Sequence, residues 1–182
     1  MTHFAGKAVK GLLLSVAVTL LLTASALAAE EDMAVAVGVT TGSSLRMRAE
    51  ASTSSSIVTT LNKDVAVAVL DDSTDGWYKV SFNGNSGFVS ADYLSIDQDN
   101  SFESYGRVDG DGVNVRSEAS TDGDKLATLD AGDIVTVTEL VDGWYAVTCE
   151  YGTEGYIRSD FVDLTSSSSS ASSIAEYAKQ FL

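Results

Sequence analysis

Val113-Asn114-Val115-Arg116-Ser117-Glu118-Ala119-Ser120-Thr121 repeats, at an offset of 68 residues, the pattern of Leu45-Arg46-Met47-Arg48-Ala49-Glu50-Ala51-Ser52-Thr53. Matches continue outward in the same order. Thr60-Leu61 pairs with Thr128-Leu129, and Asp75-Gly76-Trp77-Tyr78-Lys79-Val80 with Asp142-Gly143-Trp144-Tyr145-Ala146-Val147. Gly87-Phe88-Val89 pairs with Gly155-Tyr156-Ile157, and Asp92-Tyr93-Leu94 with Asp160-Phe161-Val162. Ordered identities, with one-residue slips confined to turns, establish an internal duplication. The period is too long for a solenoid unit and suits a small domain.

Each copy reads as β structure. Val65-Ala66-Val67-Ala68-Val69 alternates large and small apolar residues, and Ile134-Val135-Thr136-Val137-Thr138 has period two towards its end. Trp77–Phe82 and Trp144–Cys149 are strands entered from Asp-Gly turns. Asn83-Gly84-Asn85 and Tyr151-Gly152-Thr153 close hairpins into the Gly87 and Gly155 segments. Short strands joined by tight turns predict an all-β fold of two small barrels. The chain has no proline, so Gly, Asn, Asp and Ser must make its turns.

The flanks have a different character. Lys7 and Lys10 precede an apolar run, Leu12–Leu22, that ends near Ala26-Leu27-Ala28. This reads as a signal peptide over 1–28, too short in its apolar part to span a bilayer comfortably. Its removal takes the formal net charge from −15 to −17 and removes His3, the sole histidine. The predicted units then run 35–97 and 104–164, joined by a polar linker over Asp97–Glu103. A Ser-rich linker follows at 165–173, and residues 174–182 have the spacing of a short helix with a Ser173/Glu176 capping box.

Composition narrows the partners. So acidic a chain, without a basic patch, is a poor ligand for nucleic acid or an anionic membrane. Cys149 is the only cysteine, so no internal disulfide forms. It aligns with Phe82 and lacks a histidine partner, so it reads as a packed hydrophobe rather than a nucleophile. Asp109-Gly110-Asp111-Gly112 reads as a tight turn, because Val113 stands where a calcium loop needs a third oxygen ligand. No cofactor or metal is expected.

The two copies resemble the bacterial SH3-like domain family. The resemblance rests on Val113-Asn114-Val115-Arg116-Ser117-Glu118, Leu129, Gly132-Asp133, Gly143-Trp144, Gly155-Tyr156-Ile157 and Phe161-Val162, and on their counterparts in copy one. Ala51 and Ala119 stand where the family pattern has proline, and Asn62-Lys63-Asp64 replaces its Gly-Asp turn. The resemblance implies a secreted, non-catalytic, monomeric wall-binding protein that recognises peptidoglycan stem or cross-bridge peptides. The tail 174–182 resembles the opening helix of NlpC-type cysteine peptidases. The alternative is therefore the targeting part of such a peptidoglycan endopeptidase, with its catalytic domain outside this chain.

Candidate ligand contacts are Arg48, Trp77, Tyr78 and Tyr93 in copy one, and Arg116, Trp144, Tyr145 and Phe161 in copy two. Each Trp has two readings: a plug at one end of the core, or a flat floor for a peptide. By strand alternation one residue of each Trp-Tyr pair faces inward and the other is available to a ligand. Each Arg has two readings as well, a local ion pair with Glu50 or Glu118, or a ligand contact.

Overall fold

A computed structural model describes residues 33–96 and 101–166. The expected signal peptide, most of the Ser-rich linker and the C-terminal helix lie outside the described residues. Copy one contains β1 (Ala36–Thr40), β2 (Leu45–Arg48), β3 (Ile57–Leu61), β4 (Ala66–Asp71), β5 (Trp77–Phe82), β6 (Asn85–Ser90) and β7 (Leu94–Ile96). Copy two contains β8 (Ser101–Val108), β9 (Val113–Arg116), β10 (Lys125–Leu129), β11 (Ile134–Val141), β12 (Trp144–Thr148), β13 (Glu154–Arg158) and β14 (Val162–Thr165). A single 3₁₀ turn precedes β7 at Ala91–Tyr93 and β14 at Ser159–Phe161.

The strands form two seven-stranded antiparallel sheets. Their orders, β3-β2-β6-β5-β4-β1-β7 and β10-β9-β13-β12-β11-β8-β14, are the same topology shifted by seven strands. The duplicated sequence has thus produced a duplicated fold. Among the described residues no ladder joins the two edge strands of either sheet, so hydrogen bonding does not close the barrels expected from the sequence.

Alternation sets the inside of each unit. Leu45 and Met47 of β2 are buried while Arg46 and Arg48 face outward, and β9 repeats this with Val113 and Val115 against Asn114 and Arg116. Behind these strands lie Val67, Val69, Val80 and Val89 in copy one. Val135, Val137, Val147 and Ile157 occupy the same layer in copy two. The motif glycines have a steric reason. A Cβ on Gly87 would sit 2.6 Å from the Arg48 carbonyl oxygen, and one on Gly155 2.6 Å from that of Arg116. Only glycine lets this strand lie so close to its neighbour.

The two units are packed together. Strand β4 explains how: Val67 and Val69 enter the core of copy one, whereas Ala68 faces the other way and joins the cluster of copy two, with Ala34 and Val37. The Asn83-Gly84 turn, with φ of 52° and 72°, is the two-residue hairpin loop between Phe82 and Asn85. It docks on β14. The Asn83 amide donates to the Leu164 carbonyl at 2.8 Å, and the Thr165 hydroxyl donates to Asn83 Oδ1 at 3.2 Å. The Ser81 hydroxyl donates to Asp163 at 3.3 Å, and the Ala34 amide to the Ser159 hydroxyl at 2.8 Å.

The second unit starts earlier than the sequence suggested. Ser101, Phe102 and Glu103, expected in the linker or before the domain, belong to β8. Phe102 provides the reason: its ring stands edge-on to Tyr145, with centroids 6.3 Å apart. An aromatic contact of this kind stabilises by about 0.5–1.5 kcal/mol beyond area burial, and it acts together with the ladder to β11, which pairs Ser101 with Glu139.

Candidate functional site

Each unit carries a groove on the outward face of its Arg-bearing strand. In copy one it runs from the β1–β2 turn (Gly42, Ser43, Ser44) along Leu45, Arg46 and Arg48, past Thr53, to Trp77, Ser90 and Tyr93. Its volume is about 330 Å³. In copy two the groove is lined by Asp111, Gly112, Val113, Asn114, Arg116, Thr121, Trp144, Arg158 and Phe161, with a volume of about 260 Å³. Every one of these residues is the counterpart, at offset 67 or 68, of a residue in the first groove. The duplication has preserved a concave surface as well as a core.

The aromatic walls are Trp77 with Tyr93, and Trp144 with Phe161. The Trp residues pack on the module and also line its groove. Trp144 is only 8 % exposed, yet one side of it lines the groove; Trp77 is half-buried. The groove's other aromatic residue is open in both copies, Tyr93 at 52 % and Phe161 at 39 % exposure.

Tyr78 and Tyr145 lie elsewhere. Tyr145 is fully buried and Tyr78 packs against the core of copy one, so both are the inward members of their Trp-Tyr pairs. Tyr145, enclosed by the core, is corrected as a candidate ligand contact, and Tyr78 is half-buried and does not line the groove of copy one. Burial, and then the nearby Asp163 carboxylate, push the Tyr145 phenol far above its ordinary pKa.

Arg48 and Arg116 line the grooves, and each also holds a loop. Arg48 Nη1 donates to the Ser55 carbonyl at 2.6 Å, and Arg116 Nη1 to the Gly123 carbonyl at 2.9 Å. Both bonds reach seven residues along the chain, across the loop that follows the Arg-bearing strand. The ion pairs with Glu50 and Glu118, one of the two readings made of these arginines, are absent among the described residues. A guanidinium presents five donors, so one bond to a carbonyl leaves others for a ligand.

Two further cations went unnoticed in the sequence. Arg46 lines the first groove two residues before Arg48 on the same face of β2, and the Leu-Arg-Met-Arg alternation contains that signal. Arg158 lines the second. It makes a bidentate pair with Asp160, Nη2 to Oδ2 at 2.6 Å and Nε to Oδ1 at 3.1 Å, and its guanidinium carbon stands 5.4 Å from the Phe161 ring centroid.

The remaining sequence candidates are structural. Cys149 is buried, and desolvation followed by the Asp133 charge raises its thiol, the opposite of what a nucleophile requires. Asp111 accepts from the Ala131 amide at 3.2 Å, tying the turn at 109–112 to the next hairpin. Among the described residues no three His, Cys, Asp or Glu side chains gather as a metal site.

Two copies of one antiparallel β module, each with the same aromatic and arginine groove, define a tandem β-module protein. The chain belongs to the bacterial SH3 domain family, whose profile matches residues 43–95 and again 111–163. A curated relative, "Putative N-acetylmuramoyl-L-alanine amidase YrvJ" of Bacillus subtilis (strain 168), is 29 % identical over 157 residues. That alignment takes in 78 % of this chain and 29 % of the relative, so the chain spans under a third of the relative's length. Among solved structures, NlpC2 from Trichomonas vaginalis is 21 % identical with a TM-score of 0.34, covering 70 % of this chain and 47 % of that one. An endolysin domain, LysPBC5 CBD, is 15 % identical with a TM-score of 0.28, covering 74 % and 97 %.

Proposed function

We propose that the protein is a secreted, non-catalytic tether that binds peptidoglycan through its two SH3-type modules, each sheet coiled as a small barrel. The observation that carries this reading is the groove lined by counterpart positions in both copies, with Trp and Arg kept in each. Independent structural needs would keep the cores alike; a shared concave surface of Trp, an open aromatic residue and Arg points to a shared ligand. Aromatic walls accept an extended peptide or sugar face, and guanidinium donors orient its carbonyls or carboxylates. Stem and cross-bridge peptides of the wall are short, extended and polar, and they fit such a groove. The amidase named above, whose chemistry acts on the wall, supports the same compartment.

The alternative, the targeting part of an NlpC-type endopeptidase, is not favoured, because the curated relative is named as an amidase rather than a peptidase. The proposal is tested by co-sedimentation of the purified protein with isolated peptidoglycan. Wild type is expected in the pellet, and the double variant Trp77→Ala/Trp144→Ala in the supernatant with its far-ultraviolet spectrum unchanged. Wild-type protein left in the supernatant with several wall types refutes the proposal. Light scattering during size exclusion is expected to give the mass of a monomer.

A further inference from the structure

The two grooves share their shape and differ in charge. Ten residues line the first, and among them are two arginines and no carboxylate. Arg46 is exposed on β2, and its side chain makes no ion pair or hydrogen bond among the described residues. Asp92, the counterpart of Asp160, does not line the groove. In a chain of formal net charge −15 this is a local positive concavity. In the second groove, Asn114 replaces Arg46 and Asp111 adds a carboxylate to the lining. The cation gained there, Arg158, is engaged by Asp160 and covered by Phe161.

We propose that Arg46 makes the groove of copy one a reader of the free carboxylate on a short extended peptide, and that copy two lacks this preference. The inference rests on the wall-peptide reading above and gives the two modules different tasks. Trp77 and Tyr93 hold the peptide's apolar face, and Arg46 with the spare donors of Arg48 meets its terminal carboxylate. A polymeric anion is the poorer occupant. It would carry its charge across the whole acidic surface, whereas a single carboxylate meets only the groove. The second groove accepts the same backbone with no premium on a negative end.

The test uses full-length protein labelled with ¹⁵N and two probes, N-acetylated Lys-D-Ala-D-Ala as free acid and as C-terminal carboxamide. The acid is expected to shift amide signals around Leu45, Trp77 and Tyr93, and to bind groove one about five- to tenfold more tightly than the amide. This matches one partly exposed charge-assisted contact. Arg46→Gln is expected to abolish the acid preference while the rest of the spectrum keeps its dispersion. Asn114→Arg is expected to create the preference in copy two. Equal binding of acid and amide, stronger acid binding at groove two, or displacement of the acid by a glycerol-phosphate polymer at lower concentration overturns the inference. Failure of both peptides to bind a protein that still sediments with peptidoglycan also overturns it and leaves the wall-binding reading standing. Failure to sediment overturns that reading itself.

Discussion

Met47→Ala tests whether the two modules unfold as one body. Met47 is completely buried in copy one, and truncating such a side chain costs about 2–5 kcal/mol. Two joined modules melt together when their interface contributes more than the difference between their own stabilities. Hydrogen bonds at Ala34, Ser81, Asn83 and Thr165 are among those that cross this interface, and each contributes about 1 kcal/mol. Val37, fully buried in the cluster of copy two, adds about 2 kcal/mol. The interface therefore contributes about 6 kcal/mol, above the ~3 kcal/mol by which the substitution weakens copy one. At about 4 °C per kcal/mol for a unit of this size, the common midpoint falls by roughly 12 °C. Each module holds one of the chain's two tryptophans, which makes the assay direct. In a Trp144→Phe background, Trp77 fluorescence reports copy one; in a Trp77→Phe background, Trp144 reports copy two. Each background is compared with and without Met47→Ala. Both probes are expected to move by the same amount. A Trp144 midpoint that stays put while the Trp77 midpoint falls refutes the coupling.

Burial holds the Asp163 carboxyl above its ordinary pKa, with Asp109 adding to the rise and the Ser81 hydrogen bond, Arg107 and the Gly84 amide opposing it. A raised folded-state pKa favours the protonated form. Its contribution is therefore full below the unfolded value and is lost as pH rises through the folded one. Asp163→Asn, which still accepts from Ser81, is expected to raise the melting temperature at pH 7 with a gain that vanishes near pH 3; a gain independent of pH refutes the assignment. Cys149 is expected to resist an aromatic disulfide reagent at pH 8 in the native protein and to react at once in guanidinium, whereas equal rates would place the thiol at the surface. Gly87→Ala sets a Cβ against a backbone carbonyl that cannot step aside, so it is expected to cost about 1–3 kcal/mol. Gly155→Ala meets the same 2.6 Å approach and should cost a similar amount. A neutral result in thermal melts at either position shows that the strands can separate there.

The sequence carried the fold because the fold is built from period-two alternation and two-residue turns, both local. Leu45-Arg46-Met47-Arg48 and Val113-Asn114-Val115-Arg116 show which face is inside before any tertiary contact is known. The candidate site was legible to the extent that it follows from strands, and Trp77, Trp144, Arg48, Arg116, Tyr93 and Phe161 all reach a groove. Alternation also puts the two members of each Trp-Tyr pair on opposite faces of the strand. Which member faces the core depends on the sheet's coiling, a non-local property, so Tyr78 and Tyr145 could not be assigned to a face. The contact between modules is non-local too, yet it left a trace. Ala66 and Ala68 keep β4 apolar on both faces, whereas their counterparts across the repeat, Ile134 and Thr136, give copy two a polar residue where Ala68 is buried. An apolar residue at an outward strand position in one copy and a hydroxyl in the other marks a face that is covered once. The same comparison applies at Arg46 and Asn114. In a duplicated chain, positions that agree report the fold and the shared groove. Positions that differ on a solvent-facing register report what each copy does alone, here one face that docks and one groove lined by arginines with no carboxylate.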